Sequence, residues 1–303
     1  MRVPPVPVRL VVTDLDGTLW DRDGTIEPAT LEALAALGAR GIGVLAATAR
    51  RRRSATERLA AYGLELPMVL LDGSLGWDPA RATWFHRRFF EPADAVFVLD
   101  AFTAAGLEPC VNVGDSRDVV VGPAPSSHPD NLAYLAGFCT YGDLGDVVAA
   151  AEVLSFQVYG VDPGPVLDVA SAVNASGRGA ATVHRDIGHG GHACTVRPVG
   201  TDKWTGVLAY CAATGIDPAH TAAIGDGEND VELLANAGWS CAPEGATRAA
   251  RAAAAATVAA LGRGGWAQLA AAVLLDGGPS PASRMSRLLW DFGDGPTAVQ
   301  AAA

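Results

Sequence analysis

The sequence predicts an α/β protein: a parallel sheet wound with helices and interrupted midway by an inserted α+β segment. Three observations predict it. Apolar runs of strand length stop abruptly on polar residues at positions 14, 48 and 226; a helical stretch separates the first two runs; and from about residue 74 to 195 short strand-like pieces alternate with helices. At 303 residues the chain has room for roughly two domains of about 150 residues, and 50% hydrophobic residues suffice for packed cores.

Bulk properties exclude several functions. A net charge of −11 argues against a nucleic-acid partner, because binding to a phosphate backbone is driven by clustered Lys and Arg. The same charge repels anions at long range, so an anionic substrate needs a metal or local basic groups at its site. Cys110, Cys139, Cys194, Cys211 and Cys241 are odd in number and lack Cys-x-x-Cys spacing, as expected of reduced thiols in a cytoplasm. Ahead of the first apolar run stands only one Arg and a Pro-rich stretch, with no segment that reads as a signal peptide. No run reaches the ~18 apolar residues of a membrane helix. The expectation is a cytoplasmic protein, monomer or homodimer, with neither a membrane nor a nucleic acid as partner.

The first element organises the rest. Residues 8–19 read Val-Arg-Leu-Val-Val-Thr-Asp-Leu-Asp-Gly-Thr-Leu, a strand ending on Asp14 and Asp16. The C-terminal edge of an open α/β sheet is where ligands bind. Residues two apart on a strand share a face, so if the chain stays extended through Leu15 both carboxylates converge on one cavity and repel unless a cation sits between them. An EF-hand loop fails on spacing, since Thr18 and Leu19 stand where an oxygen ligand and Gly belong. A turn rich in Asp and without chemistry is the bland alternative, and such turns seldom follow so apolar a strand. The block resembles motif I of the haloacid dehalogenase (HAD) superfamily, Asp-x-Asp-Gly-Thr, in which the first Asp is the nucleophile.

Pro28 then opens a helix with Leu31, Leu34 and Leu37 at helical spacing, ending near Gly38 or Gly41, and Ile42 to Thr48 is a second buried strand. A strand-helix-strand unit of this length implies parallel neighbours and a right-handed crossover. Thr48 stands where the superfamily's motif II places Thr or Ser, and Ala49 departs from its usual Gly. The Thr48 hydroxyl and the Ala49 N–H are suited to a phosphate oxygen at a helix N-terminus. Arg50 to Arg53 follow, either as a solvated helix face or, in the case of Arg50, as a phosphate ligand. A third strand, Pro67 to Leu71, leads into Asp72-Gly73-Ser74, where the Cof-like branch carries Asn-Gly-Ala and the chain leaves the core.

The insertion contains strand-like pieces at Thr83–His86, Cys110–Val113, Asp118–Val121 and Val153–Val161, and helices at Pro92–Ala105, Pro129–Gly137 and Pro163–Ala175. Its place between motifs resembles the type IIB cap of the Cof-like phosphatases. His184, His189 and His192 among glycines read as a turn between strands, because no zinc spacing accompanies them. In the cap, His184, Arg185 and the Asp115-Ser116-Arg117 loop are equal candidates to face a substrate. On re-entry, Lys203 opens a helix at the motif III position, with Gly displaced to Gly206. A lone Lys there opposes the helix dipole, so the order of motifs rather than local preference assigns it to the phosphate and the nucleophile.

Thr221 to Gly225 is a strand running into Asp226-Gly227-Glu228-Asn229-Asp230, which matches motif IV, Gly-Asp-Gly-x-Asn-Asp, in full. Asp226 at the strand end can reach a metal, Gly227 permits the turn, and Asn229 and Asp230 sit on the first helical turn. Helices are expected at Glu244–Ala256 and Trp266–Leu275, then a loose tail over 276–303 with a short helix near Met285.

The resemblance covers most of residues 8–275. It implies a Rossmann-like core of 1–73 and 196–275, a cap of 74–195, and a phosphatase acting on a small phosphorylated metabolite such as a sugar phosphate. Oxygen ligands from Asp14, the Asp16 carbonyl, Asp226 and Asp230 suit Mg²⁺. Asp14 would attack phosphorus, Asp16 would act as acid and base, and Lys203 and Thr48 would stabilise phosphoryl charge, with Ala49, Asn229 and Arg50 as further phosphate-binding candidates. Two alternatives stay open: a hexose phosphomutase using the same nucleophile, and a binding protein without turnover.

Overall fold

The computed structural model describes residues 4–186 and 189–275; the tail expected over 276–303, with its helix near Met285, lies outside them. The chain begins with β1 (Leu10–Thr13), α1 (Pro28–Ala39), β2 (Gly43–Ala47), α2 (Arg52–Ala60) and β3 (Met68–Leu70), then a hairpin of β4 (Leu75–Asp78) and β5 (Thr83–Arg87). The inserted part follows as α3 (Pro92–Ala104), β6 (Cys110–Val113), β7 (Val119–Val121), α4 (Pro129–Leu135), β8 (Thr140–Tyr141), α5 (Leu144–Ala150), β9 (Val153–Val161), α6 (Pro163–Ser176), β10 (Ala180–Arg185) and β11 (His192–Arg197). The chain closes with α7 (Lys203–Thr214), β12 (Thr221–Ile224), α8 (Val231–Asn236), β13 (Trp239–Pro243), α9 (Arg248–Ala253), β14 (Ala256–Val258) and α10 (Gly265–Leu275).

The larger sheet runs β14-β13-β12-β1-β2-β3-β4-β5, parallel from β14 through β3 and antiparallel beyond. From β1 the chain builds outward through β2 and β3, and after the insertion it returns to place β12 on the other side of β1. That reversal of direction opens a crevice at the strands' C-terminal ends. Both faces of β1 are covered, which is why its sequence is apolar throughout. Val11 packs with Leu34, Leu37, Trp266 and Leu269 of α1 and α10, while Leu10 and Val12 pack with Val207, Leu233 and Leu234 of α7 and α8. Each such buried aliphatic side chain contributes roughly 1.5–3 kcal/mol.

The smaller sheet runs β10-β11-β9-β6-β7-β8. One face is apolar, with Phe156 and Val158 of β9 packed on Val98, Phe102, Val166 and Val169 of α3 and α6. On the same strand Ser155 and Gln157 alternate with them and are polar, yet they are wholly buried. That polar face is turned to the core, since Gln157 and Asn112 meet Arg51 from the end of the β2 loop.

Two expectations are corrected. Thr83–His86 was expected in a cap starting at residue 74, but β4 and β5 extend the core sheet, so the smaller sheet's unit begins after Arg87. The hairpin completes the edge of a parallel sheet that three-residue β3 alone would leave open. Of the helix expected at Glu244–Ala256 only Arg248–Ala253 is helical, and Ala256 opens the parallel edge strand β14 beside β13. Among the described residues no helix is long and apolar enough to cross a membrane.

Candidate active site

β1 carries Asp14 one residue past its end, where its N–H donates to the Ile224 carbonyl at 2.9 Å and so prolongs the β1–β12 ladder. A ladder residue cannot drift, and the Asp14 side chain is almost wholly buried at the rim. Facing it is Lys203, the first residue of α7. An Asp202–Thr205 capping box fixes that helix start: the Asp202 carboxylate accepts from the Thr205 N–H at 2.7 Å and the Thr205 hydroxyl accepts from the Asp202 N–H at 3.1 Å. Lys203 is fully buried and donates to Asp14 Oδ1 at 2.6 Å and Asp230 Oδ1 at 2.7 Å. Burial alone would lower its pKa, but the charges of Asp14 and Asp230 outweigh that and hold the ammonium charged.

The loop after β12 is built around Asp230. Its Oδ2 accepts from the N–H groups of Asp226 and Gly227 at 3.0 and 2.9 Å, which folds the turn, while Oδ1 anchors Lys203. Asp226 is steadied by the Thr18 hydroxyl at 3.0 Å, a contact that sequence reasoning missed although Thr18 belongs to the Asp-x-Asp-Gly-Thr block. Gly17 has φ +79°, and a Cβ there would come 2.5 Å from Asp226 Oδ2; only glycine lets the two loops approach.

Carboxylate oxygens of Asp14, Asp226 and Asp230 lie within 4.8 Å of one another. Burial pushes the Asp14 carboxyl well up; Lys203 opposes this, while Asp230, Asp226 and Asp16 add to it. Burial, then the neighbouring Asp230, pushes Asp226 up to about 6. Three carboxylates against one ammonium leave negative charge uncompensated, and an all-oxygen donor set of this kind fits a hard divalent cation.

The condition under which the Asp16 carboxylate would converge with Asp14 is not met. The chain turns after Asp14 instead of staying extended, so the Asp16 carboxylate does not join that cluster. It is held outward by Arg50, through Nε to Oδ2 and Nη2 to Oδ1, both at 2.6 Å, and by Trp20 Nε1 at 2.9 Å. Burial would raise its pKa, but hydrogen bonds and charge from Arg50 outweigh that and hold it below the usual carboxylate range. Arg50 is therefore engaged by Asp16. Thr48 is buried one residue past β2, and its hydroxyl accepts from the Arg50 N–H at 3.1 Å while keeping a proton to donate. Ala49 lies between them on the same rim.

In the rest of the arginine run Arg51 is buried, while Arg52 and Arg53 are exposed as a solvated face would be, each against an aromatic ring. Arg51 reaches into the smaller sheet, Arg52 lies over Trp77 at 4.7 Å, and Arg53 lies over Phe138 at 4.9 Å. Asn229 donates to Asp72 Oδ1 at 2.8 Å. Asp72 itself is in the left-handed region, φ 51°, ψ 36°, with its N–H on the Thr48 carbonyl at 3.0 Å. The following Gly73, φ +108°, admits the Asp202 carbonyl where any Cβ would collide. Of the cap candidates, His184 and Arg185 lie on β10 and His192 on β11, the two strands of one antiparallel hairpin; His189 pairs with Asp186 at 3.0 Å in the turn between them. Arg117 pairs with Asp115 at 2.6 Å.

The sequence pattern of the haloacid dehalogenase-like hydrolases matches residues 11–132 and 179–265. This chain belongs to that family. The two matched ranges contain every core site residue from Asp14 to Asp230; residues 133–178 of the smaller-sheet unit fall outside them. Among curated proteins, a phosphoglycolate phosphatase of Methanopyrus kandleri is 52% identical over 46 residues, 15% of this chain and 20% of that protein. One of Aeropyrum pernix is 47% identical over 64 residues, 21% of this chain and 27% of that protein. The chain thus spans only about a quarter or less of the length of these relatives. Solved structures agree on the fold over almost the whole of their chains. A haloacid dehalogenase-like hydrolase from B. subtilis superposes with TM-score 0.74 at 15% identity, over 87% of this chain and 99% of that one. A HAD subclass IIB sugar phosphatase superposes with TM-score 0.69 at 19% identity, over 86% and 97%.

Proposed function

We infer that this protein is a Mg²⁺-dependent phosphatase that hydrolyses a small phosphomonoester, a sugar phosphate or related metabolite, through an aspartyl phosphate on Asp14. The observation that carries this is the placement of Asp14: pinned by Lys203 through Oδ1, beside Asp226 and Asp230, at the crevice rim. Among the described residues no hydrogen bond holds its Oδ2, which leaves that oxygen to attack.

Asp14, the Asp16 carbonyl and Asp226 would hold the ion, with Asp230 supporting them by folding the loop. The ion supplies charge that draws an anionic ester into an acidic protein and neutralises phosphoryl oxygens. Asp14 Oδ2 attacks phosphorus in line, and the alcohol leaves with a proton from Asp16; water then attacks the aspartyl phosphate, giving its proton back to Asp16. Lys203 and the Thr48 hydroxyl stabilise the equatorial oxygens. Arg50 holds Asp16 ionised, the form needed as base, so Asp16 must leave Arg50 and take up a proton before it serves as acid. Closure of the smaller sheet's polar face over the rim would exclude water.

The test is phosphate release from p-nitrophenyl phosphate and a panel of sugar phosphates, with Mg²⁺ and with chelator. Turnover should require Mg²⁺ and vanish in Asp14→Asn. Full activity in Asp14→Asn refutes the nucleophile.

A further inference from the structure

Resting on that phosphatase reading, we propose that Arg197 binds a second anionic group on the substrate, so that the alcohol released carries a carboxylate. Arg197 ends β11 on the smaller sheet's polar face and is 7% exposed. Its Nε is buried without an acceptor, Nη2 donates to the Thr182 hydroxyl at 2.8 Å, and its ion pair with the buried Asp72 is loose, Nη1 to Oδ2 at 3.9 Å, the other Asp72 oxygen accepting from Asn229. Buried guanidinium groups are normally matched by hydrogen-bonded anions, and this ion pair stops short of hydrogen-bond distance.

It lines a cavity of about 200 Å³ between the two sheets, together with Thr182, Thr201 and Asn229. The Thr201 hydroxyl is likewise buried there without a partner. The cavity shares walls with the catalytic rim, since Asn229 precedes Asp230 and Asp202 precedes Lys203. Asp202, Glu228 and Glu232 also line it; the two glutamates are exposed, where solvent screens their repulsion, and the half-buried Asp202 carboxylate accepts from the Thr205 N–H.

A second arginine reinforces the charge on the same face. Arg51 is 8% exposed, with no carboxylate within 4.0 Å among the described residues; it donates only to the amide oxygens of Asn112 and Gln157. Because a guanidinium cannot accept, both amides must turn oxygen toward it, and this leaves the Gln157 NH₂ buried and unpartnered. Gln157 is directly opposite Thr195, two residues before Arg197. A carboxylate supplies what these groups lack: one negative charge and a planar acceptor matched to the guanidinium fork. A neutral polyol supplies hydroxyls but no charge.

The matched esters 3-phosphoglycerate and glycerol 3-phosphate differ in a carboxylate replacing a hydroxymethyl group. Wild-type kcat/KM should favour the acid by about 10- to 100-fold, the span of a charged hydrogen-bonded contact. In Arg197→Met the ratio should fall toward one, chiefly through KM for the acid, and Arg197→Lys should fall between. Equal kcat/KM in the wild type, or an unchanged ratio in both variants, overturns the proposal. Calorimetric binding of the two esters to the full chain with Asp14→Asn separates the two claims. Selective binding of the acid without turnover in the wild type upholds the anion subsite and sinks the phosphatase reading; turnover without selective binding does the reverse.

Discussion

Asp226 makes the burial and crowding of a carboxylate measurable. Its pKa is pushed from 3.8 to about 6 in the folded protein, about two units, and at ~1.4 kcal/mol per unit this is ~3 kcal/mol. The sign follows from the direction. A raised folded-state pKa means that between about pH 4 and pH 6 the folded form holds a proton that the unfolded chain has lost, so stability falls as pH rises through that window. Above it the full cost is present; below pH 4 it is absent. Asp226→Asn keeps an oxygen for the Thr18 hydroxyl but cannot ionise. In chelator, urea unfolding should show Asp226→Asn close to wild type near pH 4 and more stable by up to ~3 kcal/mol at pH 7.5. Mg²⁺ should then raise wild-type stability at pH 7.5, by about 2.7 kcal/mol at a hundred times its Kd, and Asp226→Asn far less. Wild type and variant running parallel across pH would refute the claim that burial and its neighbours' charge hold this carboxylate's pKa up.

Other perturbations follow from the same contacts. Lys203→Met leaves Asp14 and Asp230 as buried carboxylates without their cation, so it should abolish turnover and, in chelator at neutral pH, cost about 3–5 kcal/mol by denaturant unfolding. Arg50→Ala removes the fork that keeps Asp16 ionised and so raises its pKa; because kcat/KM covers the step in which Asp16 acts as acid, the alkaline limb of the kcat/KM profile should move to higher pH, while an Arg50→Lys profile should lie between the two. Phe156→Ala empties a site flanked by Phe90 and Phe102 in the smaller sheet's core, and unfolding should show a loss of about 3–5 kcal/mol.

The core site was largely legible because its parts are local. A buried strand must be apolar, and a carboxylate at its end stands out against it, as Asp14 and Asp226 do. Lys203 was legible only through the order of motifs, since a lysine at a helix start is electrostatically odd until Asp14 and Asp230 are seen on either side. What escaped was long-range. Nothing in residues 14–16 says that the chain turns at Leu15 and hands Asp16 to Arg50, thirty-four residues on. The arginine run has the composition of a solvated helix, and its division among Asp16, the polar face of the smaller sheet and the rings of Trp77 and Phe138 depends on segments far along the chain. β4 and β5 alternate weakly and read as easily into the insertion as onto the core edge; only pairing with β3 decides. The same holds for Asp72, whose left-handed backbone adjoins the close approach of Gly73 to the Asp202 carbonyl.

The most direct measurement is the mass of the protein caught during turnover. Acid-quenched Asp16→Asn incubated with Mg²⁺ and a reactive phosphomonoester should gain one phosphoryl group, and peptide mapping should place it on Asp14. A phosphoryl group found on another residue, or wild-type turnover with no adduct on Asp14 at any quench time, would contradict nucleophilic attack by that carboxylate.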